Sequence, residues 1–154
     1  MKIVTGKKEH LDGLKEVFVE LMEHHRPIDH RFPMIDNAQT IYQKRLLNYM
    51  NTEDTQILVA LEGDEVIGFA TLRIDKYSPV FHPGTYGMID DMAVKARYRR
   101  QGTGQKILEA AYTWFRSKKV DRVELSVLTQ NETGYAFWKK QGYKDYLHCM
   151  YLSI

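Results

Sequence analysis

The stretch from Gly87 to Phe115, G-M-I-D-D-M-A-V-K-A-R-Y-R-R-Q-G-T-G-Q-K-I-L-E-A-A-Y-T-W-F, limits what this chain can fold into more than any other. Met88 to Val94 is apolar and β-prone except for two adjacent carboxylates, Asp90 and Asp91. Ile107, Leu108, Ala111, Tyr112 and Phe115 then recur at helical spacing. The pattern reads as a strand, a basic glycine-containing turn over Arg99 to Gly104, and an amphipathic helix.

A helix that opens after Arg99-Arg100-Gln101-Gly102-Thr103-Gly104 presents unpaired backbone N–H groups, and the missing side chains at Gly102 and Gly104 let an anion approach them. Arg99 and Arg100 add positive charge. Two neighbouring phosphates suit such a turn, because the helix dipole, the amides and a guanidinium act on one small volume. The spacing is neither the G-x-x-x-x-G-K-[ST] of a P-loop nor the G-x-G-x-x-G of a dinucleotide fold.

The rest of the chain reads around that unit. Lys2 to Thr5 is a first strand, and Lys8 to His25 a helix with Leu11, Leu14, Phe18, Leu21 and Met22 on one face. Pro27 ends it, and a second helix runs from Ala38 to Met50 with Ile41, Leu46, Leu47 and Met50 as its apolar positions. Thr55 to Leu61 and Glu65 to Ile74 form a hairpin across Glu62-Gly63-Asp64. A loop over Lys76 to Thr85, a strand from Tyr86, the long helix, a strand over Arg122 to Leu128, a helix from Asn131 and a last strand from Tyr143 to Leu152 complete the order. At 154 residues this is one α/β domain, residues 1–154, with a mixed, mostly antiparallel sheet of six to seven strands flanked by helices.

Composition excludes several classes. With 44% hydrophobic and 27% charged residues and a formal net charge of +2, the chain has no broad basic footprint for nucleic acid; Lys95, Arg97, Arg99 and Arg100 form only a short cluster. No apolar run is long enough to span a membrane, and the start lacks a signal peptide's apolar core, so a soluble, cytoplasmic protein is expected. The single Cys149 can form no intramolecular disulfide and is expected as a buried thiol. His24, His25 and His30 lack zinc-site spacing, so no metal is expected.

Arg99, Gly102 and Gly104 in R-x-x-G-x-G, between a strand ending at Ala93-Val94 and a long helix, resemble the acyl-CoA pyrophosphate motif of the GNAT superfamily of N-acyltransferases. A second match, N-E-T-G-Y-A-F-W-K-K-Q-G-Y from Asn131 to Tyr143, resembles that family's next helix. The resemblance implies splayed central strands four and five, with a notch for the pantetheine arm, and acetyl-CoA as cofactor. It places the backbone of Met92, Ala93 and Val94 against the pantetheine. Arg99, Arg100, Gln101, Gly102, Thr103 and Gly104 fall at the pyrophosphate, with Asn131 and Trp138 also on the coenzyme side.

Acyl transfer from a thioester to an amine needs a neutral amine, a stabilised oxyanion and a proton for the leaving thiolate. Asp90, on the strand face expected to carry Met92 and Val94, is the first choice of base, Glu124 on the next strand another. Asp91 is expected on the opposite face, as a hydrogen-bond acceptor or a substrate contact. The family's tyrosine acid falls at Trp138, whose indole N–H does not release a proton usefully near neutral pH, so Tyr135, one turn earlier, is the remaining acid candidate. Asn131 also reads as a helix N-cap, and Lys139 and Lys140 as a solvated surface. By analogy with the family, His25, His30, Arg31 and Phe32 touch the acceptor.

The resulting expectation is an acetyl-CoA-dependent N-acetyltransferase in which a primary amine attacks the thioester within a ternary complex. The carboxylates favour a cationic small-molecule or peptide acceptor: polyamine, amino sugar, amino acid or protein N-terminus, in that order. The competing expectation, motivated by Trp138, is a non-catalytic acyl-CoA-binding regulatory module. Neither nucleic acid nor a membrane is an expected partner. The final strand leaves an edge through which two copies could form a homodimer.

Overall fold

The β2–β3 hairpin is the centre of the sheet and shows how the fold is held. In the computed structural model, which describes residues 1–29, 33–81 and 83–154, β2 (Thr55–Glu62) and β3 (Glu65–Lys76) pair antiparallel around Gly63, whose φ of 58° is the left-handed conformation that glycine adopts without strain. Most of both strands is buried on both faces. Such strands need a helical layer on each side.

β1 (Lys2–Thr5) pairs with β2, and β4 (Thr85–Val94) with β3, all antiparallel; β5 (Val123–Leu125) joins β4 in parallel, giving five strands in the order β1-β2-β3-β4-β5. On one face lie α1 (Leu11–His25) and α2 (Ala38–Met50), whose Leu14, Val17, Tyr42, Leu46 and Tyr49 pack with Ile57, Val59, Phe69 and Ala93. On the other lie α3 (Thr103–Ser117) and α4 (Glu132–Lys140). Ile107, Leu108, Ala111 and Phe115 of α3 pack there on Leu58, Ala60, Ala70, Leu72 and Ile89.

Element order and most boundaries match the expectation; the strand count does not. Among the described residues there are five strands, not six to seven, because residues 143–154 carry no strand ladder. An alternating apolar segment becomes a strand only when an edge supplies its hydrogen bonds, and none is paired with it here. Cys149 lies in this segment and is exposed rather than buried. The strand expected over Arg122 to Leu128 shrinks to Val123–Leu125. In α2 the core side is Tyr42, Leu46 and Tyr49, whereas Ile41 is 49% exposed.

Two irregularities in β4 build the site. The β3–β4 register runs Thr71 opposite Asp91 and then Leu72 opposite Ile89, so Asp90 is an extra residue in a β-bulge. Pairing with β5 covers Gly87, Met88 and Ile89 and then ends, so β4 leaves its neighbour at Asp90. The strands part where the two carboxylates lie.

Candidate active site

On the α3 side, the turn after β4 is fixed by polar contacts. Arg99 Nε donates to the Val94 carbonyl at 2.8 Å, and its Nη2 lies 3.5 Å from Glu20 of α1. Thr103 is buried and donates to the Tyr98 carbonyl at 3.3 Å, while Gln101 donates to the Arg97 carbonyl at 2.9 Å. These side chains shape the loop: Arg99, Gln101 and Thr103 are spent on contacts that hold its backbone in place.

Gly102 is the N-cap of α3 with φ 83° and caps no amide with a side chain, which leaves the first-turn N–H groups available. A methyl at Gly104 would meet Met92 and Phe137 only at 3.4–3.5 Å, so protein packing does not demand glycine there. Arg100 holds a positive φ of 62° and is exposed beside these amides. The donor set fits the pyrophosphate of coenzyme A.

Lys95, Arg97 and Tyr98 converge instead on Glu65. Lys95 and Tyr98 donate to it at 3.0 and 2.8 Å, Arg97 donates as well, and Lys95 also reaches Glu16 at 3.0 Å. These donors hold the Glu65 carboxyl at about 2, far below its ordinary value. Three of the four cations that could have formed a phosphate-binding cluster, Lys95, Arg97 and Arg99, are thus in internal ion pairs.

On the other side, the bulge turns both carboxylates toward α2. Ile89, Met92 and Val94 pack with the α3 cluster, whereas Asp90 and Asp91 contact α2, as Ala93 does through the α1–α2 core. Asp90 therefore does not share a face with Met92 and Val94, and Asp91 does not point away from Asp90; the extra residue resets the alternation.

Asp90 accepts from Tyr49 Oη at 2.5 Å and from Arg73 Nε at 3.0 and 3.1 Å. Asp91 accepts from Tyr42 Oη at 3.3 Å and Thr71 Oγ1 at 3.1 Å. Arg45 Nη2 lies 3.3 Å from Asp91 and 3.9 Å from Asp90, with its guanidinium near the rings of Tyr42 and Tyr49. Burial first, then donation to Asp90, raises the Tyr49 pKa; burial and the Asp91 charge raise that of Tyr42. Both phenols stay protonated as donors.

Arg73 also reaches Asp75, which accepts from Tyr86 Oη at 3.3 Å, and Arg122 Nε holds Glu124 at 2.7 Å. Asp75, Asp90, Asp91 and Glu124 thus each have a guanidinium partner. Arg45, Arg73, Tyr42 and Tyr49 were not singled out from the sequence, although Tyr42, Arg45 and Tyr49 are spaced three and four apart, the signature of one helix face.

Between the two sides, Asn131 N-caps α4 by accepting from the Gly134 amide at 3.0 Å, which turns its Nδ2 toward His25 Nε2 at 3.5 Å. Burial, then neighbouring His24, lowers the His25 pKa against an opposing pull from Asp91, which keeps the ring neutral. Trp138 packs edge-on against Phe137 and Tyr143. Tyr135 Oη donates to Asp145 at 3.1 Å on the outer side of α4. The expected acceptor contacts His30, Arg31 and Phe32 lie outside the described residues.

Comparison with known proteins identifies the fold and family. Residues 16–143 match the acetyltransferase (GNAT) family. Over 129 residues the chain is 25% identical to an L-amino acid N-acetyltransferase of Escherichia coli (strain K12), covering 84% of this chain and 70% of that protein. A tetramutant of the BH1408 protein from Bacillus halodurans superposes with a TM-score of 0.90 at 20% identity over 100% of both chains. AAC(6')-Iy, solved with the bisubstrate analogue CoA-S-monomethyl-acetylneamine, superposes with a TM-score of 0.78 at 15% identity over 99% of this chain and 97% of that one. A family match over most of the length makes this chain a member of the GNAT family and an acetyl-CoA-dependent N-acetyltransferase.

Proposed function

We propose that the chain acetylates the primary amine of a small zwitterionic molecule, an amino acid ahead of a polyamine, amino sugar or peptide, by direct attack within a ternary complex. The observation that carries the acceptor is Arg45, shared between Asp91 and Asp90. Bare carboxylates would draw a polycation, but Asp75, Asp90, Asp91 and Glu124 share Arg45, Arg73 and Arg122, which leaves only about one net negative charge. A zwitterion can use both signs. Its ammonium lies on the aspartate side, reaching Asp90 through a water, and its carboxylate meets the outer edge of Arg45. The Escherichia coli relative, whose name specifies L-amino acids, supports the same order.

Acetyl-CoA, when bound, supplies the activated acyl group. The first-turn amides of α3 and the Arg100 guanidinium would hold its pyrophosphate, and the β4 backbone from Met92 to Val94, beyond the end of β5 pairing, would receive the pantetheine. Asp90 takes the proton from the substrate ammonium. Because its carboxylate faces α2, it does so through a water, with Tyr49 and Arg73 fixing its oxygens. Glu124, held by Arg122, is the second candidate base.

The amine nitrogen then bonds to the acyl carbon as the carbon–sulfur bond breaks. A coenzyme thiolate would leave without a dedicated acid, and Tyr135, released from Asp145, or solvent would supply the proton for the sulfur. Neutral His25 and Asn131 border the space between donor and acceptor and accept or donate hydrogen bonds to the substrate.

Thiol release from acetyl-CoA, measured against a panel of amino acids, polyamines, amino sugars and peptides beside calorimetric coenzyme binding, tests this. Turnover highest with amino acids is expected. Highest turnover with polyamines would overturn the acceptor, and tight coenzyme binding without turnover on any amine would favour the regulatory reading.

A further inference from the structure

The turn that leads from β4 into α3 is fastened to α1, a helix on the other face of the sheet. The Glu20 carboxylate accepts from the Ala96 N–H at 2.5 Å and lies 3.5 Å from Arg99 Nη2, so one side chain clips both ends of that turn. Glu16, one helical turn earlier on α1, accepts from Lys95 Nζ at 3.0 Å. The helix that carries both carboxylates is itself fixed, because Leu14 and Val17 are buried in the core beneath it.

The clip acts on the path into the α3 amides. Ala96 opens a short 3-10 turn over Ala96–Tyr98, and its N–H is one of the donors that such a turn cannot satisfy internally. Lys95, the residue before it, supplies no side-chain cap. Glu20 does so from 76 residues away. Beyond the turn Arg99 is extended, and the chain reaches Gly102 and the first amides of α3 within three residues. Where Glu20 holds Ala96 and Arg99 therefore sets where those amides point. Donors fixed before an anion arrives bind it without an ordering cost.

We propose that Glu20 is a positioning residue for coenzyme binding: without touching the coenzyme, it holds the Ala96–Arg99 turn so that the first-turn amides of α3 converge on the pyrophosphate. The inference rests on the reading that this turn holds the pyrophosphate. The hold is exerted on the backbone rather than by charge. A glutamine oxygen can accept the same N–H, and Arg99, released from a carboxylate, would then add its charge to the attraction for the anion. Glu65 differs, since Lys95, Arg97 and Tyr98 all reach it through side chains.

Calorimetric titration of acetyl-CoA into the full chain and its variants tests this, with melts of the coenzyme-free proteins to show that each is folded. Glu20→Ala should raise the coenzyme Kd about tenfold, the worth of one hydrogen bond to a charged group, and leave the amine KM unchanged. Glu20→Gln should restore the Kd to within about threefold of the native chain, or make it tighter. Ala96→Pro deletes the donor instead of the acceptor, at no change in charge; proline suits the first position of a helical turn, and Lys95 before it is already extended with ψ 138°. It should match Glu20→Ala, and combining the two should add less than about twofold. A Glu20→Gln as weak as Glu20→Ala, an Ala96→Pro that binds like the native chain, or fully additive losses would each overturn the proposal. Arg100→Ala reports on the cradle separately. If it weakens coenzyme binding while Glu20→Ala does not, the role of Glu20 falls and the cradle stands; if neither changes the Kd, both fall.

Discussion

Tyr49 Oη donates to Asp90 Oδ2 at 2.5 Å, which ties the last turn of α2 to the extra residue of the β4 bulge. The bond holds a carboxylate at the point where β4 and β5 separate, on the face opposite Met92 and Val94. It makes Tyr49 a positioning residue for the proposed base.

Replacing Asp90 by Asn should lower kcat by about 100-fold or more, the usual worth of a general base, and leave the coenzyme Kd unchanged. Tyr49→Phe should cost about tenfold in kcat, the worth of one hydrogen bond to a charged group. Steady-state kinetics with calorimetry on both variants reads this. Unchanged kcat in Asp90→Asn across the pH range would transfer the role to Glu124.

Arg45→Met should change acceptor preference more than rate. Removing the guanidinium leaves Asp91 and Asp90 less compensated, so kcat/KM should rise for polyamines and fall for amino acids, with a tenfold change in their ratio corresponding to about 1.4 kcal/mol. Competition between one substrate of each class measures the ratio directly. An unaltered ratio would remove Arg45 from acceptor selection.

Arg100→Ala should weaken coenzyme binding by about fivefold to tenfold, with a loss that shrinks at high salt, and should leave the amine KM unchanged. Gly102→Ala should instead destabilise the start of α3 by about 1–2 kcal/mol, because alanine is strained at a φ of 83°. Calorimetric titration and thermal melts separate the two effects.

Glu65 makes the fold sensitive to acid. Arg97, Lys95 and Tyr98 hold its pKa at about 2 in the folded protein, below the ordinary 4.5 it regains on unfolding. Its contribution is therefore complete above about pH 4.5 and is lost as the pH falls toward 2. Denaturation across that window should show a smaller loss of stability in Glu65→Gln than in the native chain. Equal slopes would show that the exposed pairs are screened to nothing.

How much of this could be read from the sequence depended on whether a feature was local. The α3 helix was legible because Ile107, Leu108, Ala111 and Phe115 repeat over about two turns, and the β2–β3 hairpin because Gly63 marks its turn. The bulge was not. It exists only in the register between β3 and β4, and one unpaired residue reverses which face Asp90 takes. The Tyr42, Arg45 and Tyr49 set was visible as a helix face but had no meaning until β4 was placed beneath it. The last segment was read as a strand from alternation alone, yet a strand also needs an edge to pair with.

The most direct test of the central claim is a competition read by mass spectrometry: the chain, acetyl-CoA and an equimolar mixture of amino acids, polyamines, amino sugars and peptides. The account predicts that an N-acetylated amino acid accumulates first and that its formation slows by about 100-fold or more in Asp90→Asn. Accumulation of an acetylated polyamine instead, or of no acetylated amine while acetyl-CoA is bound, would contradict it.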